Sequence, residues 1–513
     1  MQNTKPHAAL LSSPGMGHLI PVLELGKRLV TNHGFTVTIF VVTTDNSLSK
    51  SQLLKQSPCP DLLNIVLLPP VDVSSLITPT TGILAQLAIM MREALPKLRS
   101  AILAMKFCPT VLIVDFFGTE AMVIADEFNM LKYAFMTSTA WFLALTLHMT
   151  TIDKAIEDNH VKNQQALLIP GCKSLEFRDT FEPVLDRNDQ MYIEYKRMGV
   201  EMQKFDGILV NTWQDLEGTT LGALEDQKRL GRVAQVPIYP VGPLVRAITR
   251  GPKSEMLEWL DMQPLESVIY VSFGSGGALS AKQTTELACG LESSGQRFIW
   301  VVRPPIEGDS AATVFKTNHR TDDTPDFLPD GFLTRTPKEV VGRGEIETMV
   351  RTIMDKGDAR RARAKTLKSS ADKALSKGGS SYNSLARVAN DCETAFKHLK
   401  AKAQAVESVA NGMPMIAWPL NAEQRMNAAL LAEDIGGAIR SKLLPWKVVR
   451  GREEIETMIR NIIEDKGDAR RGRVRAGTLK LSAERALSKG GSSSNSSAQG
   501  VNYSTTSFKL PES

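Results

Sequence analysis

The chain has 513 residues, 42% of them hydrophobic and 23% charged, with a formal net charge of +5; that length accommodates two or three domains with sizeable cores. The basic excess sits in short runs, Arg360-Arg361-Ala362-Arg363 and Arg470-Arg471-Gly472-Arg473, without interleaved aromatics, which argues against a nucleic-acid surface. Cys59, Cys108, Cys172, Cys289 and Cys392 are scattered, odd in number and free of any CxxC pair, which argues against a disulfide framework or a zinc site.

Residues 7–11 form an apolar run that predicts a first strand, and 19–29 form an amphipathic stretch that predicts a helix. Between them lies a tight turn, Pro14-Gly15-Met16-Gly17-His18. In an open α/β sheet, ligands bind in the crevice beyond the carboxyl ends of the strands. A histidine there can exchange a proton near neutral pH. Taken alone, His18 reads equally well as a loop histidine without a role. Residues 35–43, rich in β-branched side chains, predict a second strand, and 82–105 are helical in period. A buried-type strand over 111–114 ends at Asp115, and another covers 207–211. Strands alternating with helices imply a doubly wound parallel sheet. Pro237, Pro240 and Pro243 mark a turn region, followed by a polar linker at 246–254. A second unit follows: strand 267–273, the loop Gly274-Ser275-Gly276-Gly277, helix 281–291 and strand 297–302, a right-handed βαβ arrangement. Residues 304–329 read as a surface loop.

The alternation then breaks. Glu345-Ile346-Glu347-Thr348-Met349 recurs as Glu454-Ile455-Glu456-Thr457-Met458, and Lys356-Gly357-Asp358-Ala359-Arg360-Arg361 as Lys466-Gly467-Asp468-Ala469-Arg470-Arg471. Ala374-Leu375-Ser376-Lys377-Gly378-Gly379-Ser380-Ser381 recurs as Ala486-Leu487-Ser488-Lys489-Gly490-Gly491-Ser492-Ser493. Two copies do not make a solenoid, which needs about three repeats or more. Both copies are helical in pattern, so no strand is predicted between 336 and 406, and the strand pattern resumes at Pro414-Met415-Ile416-Ala417-Trp418.

Several blocks together resemble the plant UDP-dependent glycosyltransferases that act on small phenolics, with the hydroquinone glucosyltransferase (arbutin synthase) group nearest. They are Pro14-Gly15-Met16-Gly17-His18-Leu19-Ile20-Pro21, Val114-Asp115-Phe116-Phe117-Gly118-Thr119, Trp259-Leu260-Asp261-Met262-Gln263-Pro264, and Tyr270-Val271-Ser272-Phe273-Gly274-Ser275-Gly276-Gly277. The last two are Glu407-Ser408-Val409-Ala410-Asn411-Gly412-Met413-Pro414 and Trp418-Pro419-Leu420-Asn421-Ala422-Glu423-Gln424. The resemblance implies an α/β protein of two facing Rossmann-like domains (GT-B). Their expected spans are 1–241 for acceptor and 257–440 for nucleotide sugar, joined by a linker at 242–256. The duplicated helical segment at 337–406 interrupts the second domain; helices at 441–489 and a disordered tail at 490–513 complete the chain. It further implies inverting transfer of glucose from UDP-glucose, a co-substrate rather than a cofactor, to the hydroxyl of a small phenolic such as hydroquinone.

On that resemblance, His18 is the general base and Asp115 the carboxylate that orients it, a pair that turns a poorly nucleophilic phenol into a reactive one. Asp115 alone would read as a helix N-cap. Ser275 takes the place of the diphosphate contact, Glu407 of the acid on the ribose hydroxyls, and Glu423 with Gln424 of the pair on the sugar hydroxyls. Apart from the resemblance, Ser275 reads as part of a plain turn and the other three as surface polar residues. Phe117 and Trp141, with neighbouring Phe116 and Phe142, are candidates for lining the acceptor pocket or for simple core. Upstream of Glu407 the chain departs from the family. Leu399-Lys400-Ala401-Lys402-Ala403-Gln404-Ala405-Val406 stands where the donor signature has a tryptophan that stacks on uracil and a histidine–asparagine–serine set for the diphosphate. The expected consequence is impaired donor binding, with a catalytically inactive descendant that binds phenolics or a protein partner as the alternative. A dinucleotide oxidoreductase is disfavoured, because Gly15-Met16-Gly17 lacks the third glycine of its fingerprint. No metal is implied. Without a basic-then-apolar leader or an apolar run of about 18 residues, the expectation is a cytoplasmic monomer with no membrane span and no nucleic-acid partner.

Overall fold

A computed structural model describes residues 5–43, 61–78, 80–245, 255–264, 267–273, 279–302, 305, 328–329, 332, 359–410, 415–417 and 438–440, with the backbone alone at 255, 359–361 and beyond 397. The chain divides into two compact units, residues 1–393 and 394–513.

The first unit begins with β1 (His7–Ser12), α1 (Met16–His33), β2 (Thr36–Val41), β3 (Leu63–Leu67), α2 (Ile83–Leu103) and β4 (Val111–Asp115). A 3₁₀ turn at Phe116–Ala121 leads to α3 (Met122–Glu127), β5 (Leu131–Met136), α4 (Ala140–His148), α5 (Lys154–Asn163) and α6 (Gln190–Met202). β6 (Gly207–Val210), α7 (Gln214–Glu225), α8 (Gly231–Ala234) and β7 (Ile238–Pro240) complete a seven-stranded sheet of order β3-β2-β1-β4-β5-β6-β7. All neighbouring strands in it pair in parallel. The strand order reverses between β1 and β4, so the crevice beyond their carboxyl ends is the topological switch point.

Alternation along the strands divides the core into two faces. Ala9 and Leu11 of β1, with Leu112 and Val114 of β4, pack toward α2 and α6. Ala8 and Leu10, with Val111 and Ile113, pack toward α1. Successive side chains of a strand point to opposite faces, so a strand covered on both sides is apolar throughout. Helix α1 lies close to its sheet because Gly26 has no side chain: a Cβ there would meet Ile39 at 3.0 Å and both Leu63 and Val37 at 3.3 Å. The helix ends at Gly34 (φ 69°), whose N–H bonds to the Val30 carbonyl at 3.1 Å, a left-handed cap that glycine adopts without strain.

Also in the first unit are α9 (Glu255–Asp261), β8 (Val268–Val271), α10 (Ala281–Ser294) and β9 (Arg297–Trp300), with β8 and β9 parallel. Ser280 and Gln283 form a reciprocal capping box at the start of α10. This is the predicted βαβ unit. Two helices follow, α11 (Ala359–Leu375) and α12 (Ser380–Ala410), in agreement with the helical reading of the first repeat copy. In the second unit the described strands are β10 (Met415–Ala417) and β11 (Ala438–Arg440), paired in parallel. The predicted linker core at 246–254, most of the loop at 304–329, and the segments 441–489 and 490–513 lie outside the described residues. Pro240, read as punctuation, instead closes β7. That strand is the last of its sheet, where a missing N–H costs no ladder bond. No helix among the described residues is long and apolar enough to cross a membrane, and no His/Cys/Asp/Glu group there could hold a metal ion.

His7, at the start of β1, is buried with its Nε2 2.9 Å from the Thr38 hydroxyl, and burial pushes its pKa down to about 4. The unfolded imidazole takes a proton near pH 6.5, so between those values the unfolded state binds more protons. The stability present above pH 6.5 is therefore lost as pH falls toward 4, by about 3 kcal/mol in all. In His7→Gln, the urea-unfolding free energy should change less between pH 6.5 and 4.5 than in the unaltered chain. Equal slopes would assign the acid sensitivity to other groups.

Candidate active site

The turn after β1 opens α1 through Gly15, whose φ of 102° favours glycine; the Gly15 carbonyl accepts the N–H groups of His18 (3.1 Å) and Leu19 (3.0 Å). His18 thereby stands on the first turn of α1, at the rim of the switch point. Asp115 is the last residue of β4, which pairs directly with β1 in the register Leu11↔Val114. The sheet ladder thus brings the two together: His18 Nδ1 lies 3.3 Å from Asp115 Oδ2, with the imidazole 24% exposed and the carboxylate fully buried. A carboxylate accepts, so this contact places the hydrogen on Nδ1 and leaves the Nε2 lone pair available.

Ser13 holds the carboxylate from the other side. Its backbone N–H donates to Asp115 Oδ2 at 2.8 Å, and its hydroxyl donates to the same oxygen. A buried charge is tolerable only where donors meet it, and here three groups converge on one oxygen. Asp115 flanks the 3₁₀ turn at the N-cap position, yet its side chain makes no cap hydrogen bond. The alternative reading of Asp115 as a helix cap is therefore not what the structure shows. The Thr137 hydroxyl lies 3.4 Å from His18 Nδ1, on the loop after β5.

An ionic cluster clamps the turn that follows Asp115. Arg92 of α2 bonds Glu120 at 2.7 and 3.0 Å and Glu194 of α6 at 2.9 Å. Arg197 reaches Glu194 (2.8 Å), Glu120 (2.9 Å) and Glu201, and the Thr119 hydroxyl donates to Glu201 at 2.7 Å. Fixed in this way, the turn directs Phe117 edge-on to His18, with ring centroids 5.2 Å apart. Phe116 continues the aromatic run at 5.2 Å from Phe117 and 5.8 Å from Phe142. Phe181 then stands 5.2 Å from both Phe142 and Tyr195.

Of the two candidate acceptor residues, Phe117 is joined to the histidine. Trp141 is placed differently: its indole N–H donates to the Lys173 carbonyl at 2.9 Å, and the Lys173 ammonium stands 5.4 Å from its ring. Its backbone N–H and that of Ala140 are capped by the carboxylate of Glu217, at 2.9 and 2.8 Å. Ser275, Glu423 and Gln424 lie outside the described residues, and Glu407 is described only as backbone within α12. Ser13, Thr137 and Glu217 were not singled out from the sequence. Ser13 carried a partial signal, as one of two serines, Ser12 and Ser13, between the apolar run and the Pro-Gly turn. Glu217 acts 77 residues from Ala140, and spacing does not encode such a contact.

No protein-family model matches the chain. The chain is 45% identical over 495 residues to anthocyanidin 3-O-glucosyltransferase 5 of Manihot esculenta, covering 96% of this chain and 94% of that protein. It is 45% identical over 494 residues to UDP-glycosyltransferase 72E1 of Arabidopsis thaliana, covering 95% and 94%. Among solved structures it is similar to TcCGT1 in complex with UDP, with a TM-score of 0.61 and 37% identity over 97% of this chain and 98% of that one. It is also similar to Phytolacca americana UGT2 complexed with UDP-2fluoro-glucose and pterostilbene, with a TM-score of 0.55 and 29% identity over 96% and 98%.

Proposed function

The chain belongs to the plant UDP-glycosyltransferases and is a glycosyltransferase of the GT-B fold, and from that membership we propose that it moves glucose from UDP-glucose to the hydroxyl of a small phenolic, of which hydroquinone is the simplest case. The observation that carries the reading is the His18–Asp115 contact at the sheet's switch point. In the proposed step, His18 Nε2 takes the acceptor's hydroxyl proton as the acceptor oxygen bonds to the anomeric carbon. The bond from that carbon to the diphosphate oxygen breaks in line, UDP leaves with the electron pair, and the anomeric configuration inverts. Asp115 keeps Nδ1–H directed at itself and stabilises the imidazolium that forms. Phe117 packs on the base and offers an apolar wall to an aromatic acceptor.

Residues 1–241 are the proposed acceptor half and 257–440 the proposed donor half, with Ser275, Glu407, Glu423 and Gln424 as its donor contacts. A monomer in the cytosol is the proposed setting, on the scattered cysteines. Donor affinity in this chain is proposed to be weak. The sequence 399–406 supplies neither the aromatic ring nor the histidine–asparagine–serine set expected there. A stack contributes about 1–3 kcal/mol and a hydrogen bond to a charged group about 1.5–3 kcal/mol. Loss of one stack and two such bonds amounts to roughly three to six decades in affinity. The same observation favours a second reading, a non-catalytic protein that binds phenolics through residues 1–241.

With hydroquinone as acceptor, His18→Ala should lower the transfer rate about 10²- to 10⁴-fold without unfolding the chain. Asp115→Asn should lower it too, since a neutral amide no longer stabilises the imidazolium. Unchanged rates in both variants would remove the pair from the mechanism.

The dependence of rate on UDP-glucose should stay linear up to roughly 1 mM, the upper end of ordinary KM values. Saturation at micromolar donor would refute the weakened site. Acceptor binding with no product at any donor concentration would establish the non-catalytic reading.

A further inference from the structure

The two repeat copies are alike through Gly-Gly-Ser-Ser and beyond it keep residues such as Asn383 (Asn495) and Ser384 (Ser496) while differing at others. In the first copy, residues 381–392 of α12 lie along the α1 face of the sheet. Leu385, Val388, Ala389 and Cys392 are each at most 2% exposed and belong to the same core as Leu10, Leu29, Ile113 and Leu209. Their spacing, with Ser381 one turn earlier, is that of one helical face. Polar contacts stitch the edges. The Ser381 hydroxyl donates to the Gly242 carbonyl at 2.7 Å, where the chain leaves β7. The Arg387 guanidinium covers the Tyr239 ring at 5.3 Å, and the Tyr133 hydroxyl donates to Asp391 at 3.4 Å. From α11, Ser370 accepts the Trp213 indole N–H at 2.9 Å.

The second copy aligns 112 residues on, as Ala374 with Ala486 shows. It keeps Ser482 for Ser370 and Ser493 for Ser381. It has Ser497 for Leu385, Gly500 for Val388 and Ser504 for Cys392, and Gln499 and Tyr503 for Arg387 and Asp391. Each apolar anchor except Ala389, matched by Val501, is replaced by serine or glycine, and serine and glycine also lower helix propensity. We propose that the copies are not interchangeable: the first is the clasp that closes the α1 face of the N-terminal sheet, and the second has lost the side chains for that groove and contributes nothing to the unit's stability.

The test uses the full chain. Leu385→Ser with Val388→Gly gives the first copy the second copy's residues and should lower Tm by roughly 5 °C or more. Val388→Ala is the milder substitution should the pair not fold, and should lower Tm in the same direction. Ser497→Glu with Gly500→Glu, the matching registers of the second copy, should leave Tm within about 1 °C of the unaltered chain. The Cys392 thiol reports docking directly: in the native chain its alkylation, followed by peptide mass mapping, should be at least about tenfold slower than in urea, consistent with a closed core that opens only rarely. A second-copy variant as unstable as the first-copy variant, or Cys392 alkylated in the native chain at its rate in urea, would overturn the proposal.

Discussion

The constraint on which the site rests is the burial of the Asp115 carboxylate. Taking a charge out of water is costly unless donors replace the water, and here the replacements come from the strand next door. β1 and β4 are paired neighbours, so the backbone N–H and hydroxyl of Ser13 at the end of one strand reach Asp115 at the end of the other. The third partner, His18 Nδ1, enters one turn later, on α1. The arrangement needs no flexible loop to close. Its geometry is inherited from the strand ladder on one side and from the left-handed Gly15 turn on the other.

That inheritance explains why so much of the site could be read from residue order. β1, β4 and α2 announce themselves by apolar runs or by helical period, and the strand that ends in Asp115 carries its candidate site residue at its own boundary. β3 and β5 escaped notice because their patterns are weaker; β5, Leu-Lys-Tyr-Ala-Phe-Met, carries a lysine near its start and is fully buried only from Tyr133 on. β7 was concealed by Pro240 within it and Pro237 before it; an edge strand tolerates such a proline. Phe116 and Phe117 illustrate an ambiguity that sequence cannot remove. They are core residues, 4% and 9% exposed, and Phe117 also packs on the histidine. On the proposed reading core and site are the same side chains, so spacing does not choose between the two.

The duplicated segment shows a different limit. Sequence comparison reveals that two stretches share an origin, and the matched blocks weigh equally in it. Burial in the first copy says which positions matter: Ser381, Ser384, Leu385, Val388, Ala389 and Cys392 of α12 are buried on the side that meets the sheet. Once those registers are known, the substitutions at Ser497, Gly500 and Ser504 cease to be scattered differences. They align with the buried positions Leu385, Val388 and Cys392 of the first copy, while the retained Ser482 and Ser493 match residues that make polar contacts.

The His18–Asp115 contact is built within the N-terminal sheet and the segments beside it. Ser13, His18, Asp115, Phe117 and Thr137 are held by one another and by the ionic cluster of Arg92, Glu120, Glu194 and Arg197, and the Thr137 carbonyl also accepts from the Asn211 side chain at 3.4 Å. On the proposed reading, a change in the stretch before Glu407 removes binding energy from the nucleotide without moving the proton acceptor. Interactions made equally in the ground and transition states set how much donor is needed, and those made only as the acceptor loses its proton set the rate once donor is bound. On that same reading, a chain altered in this way would lose donor affinity first and keep the proton-accepting geometry around Asp115.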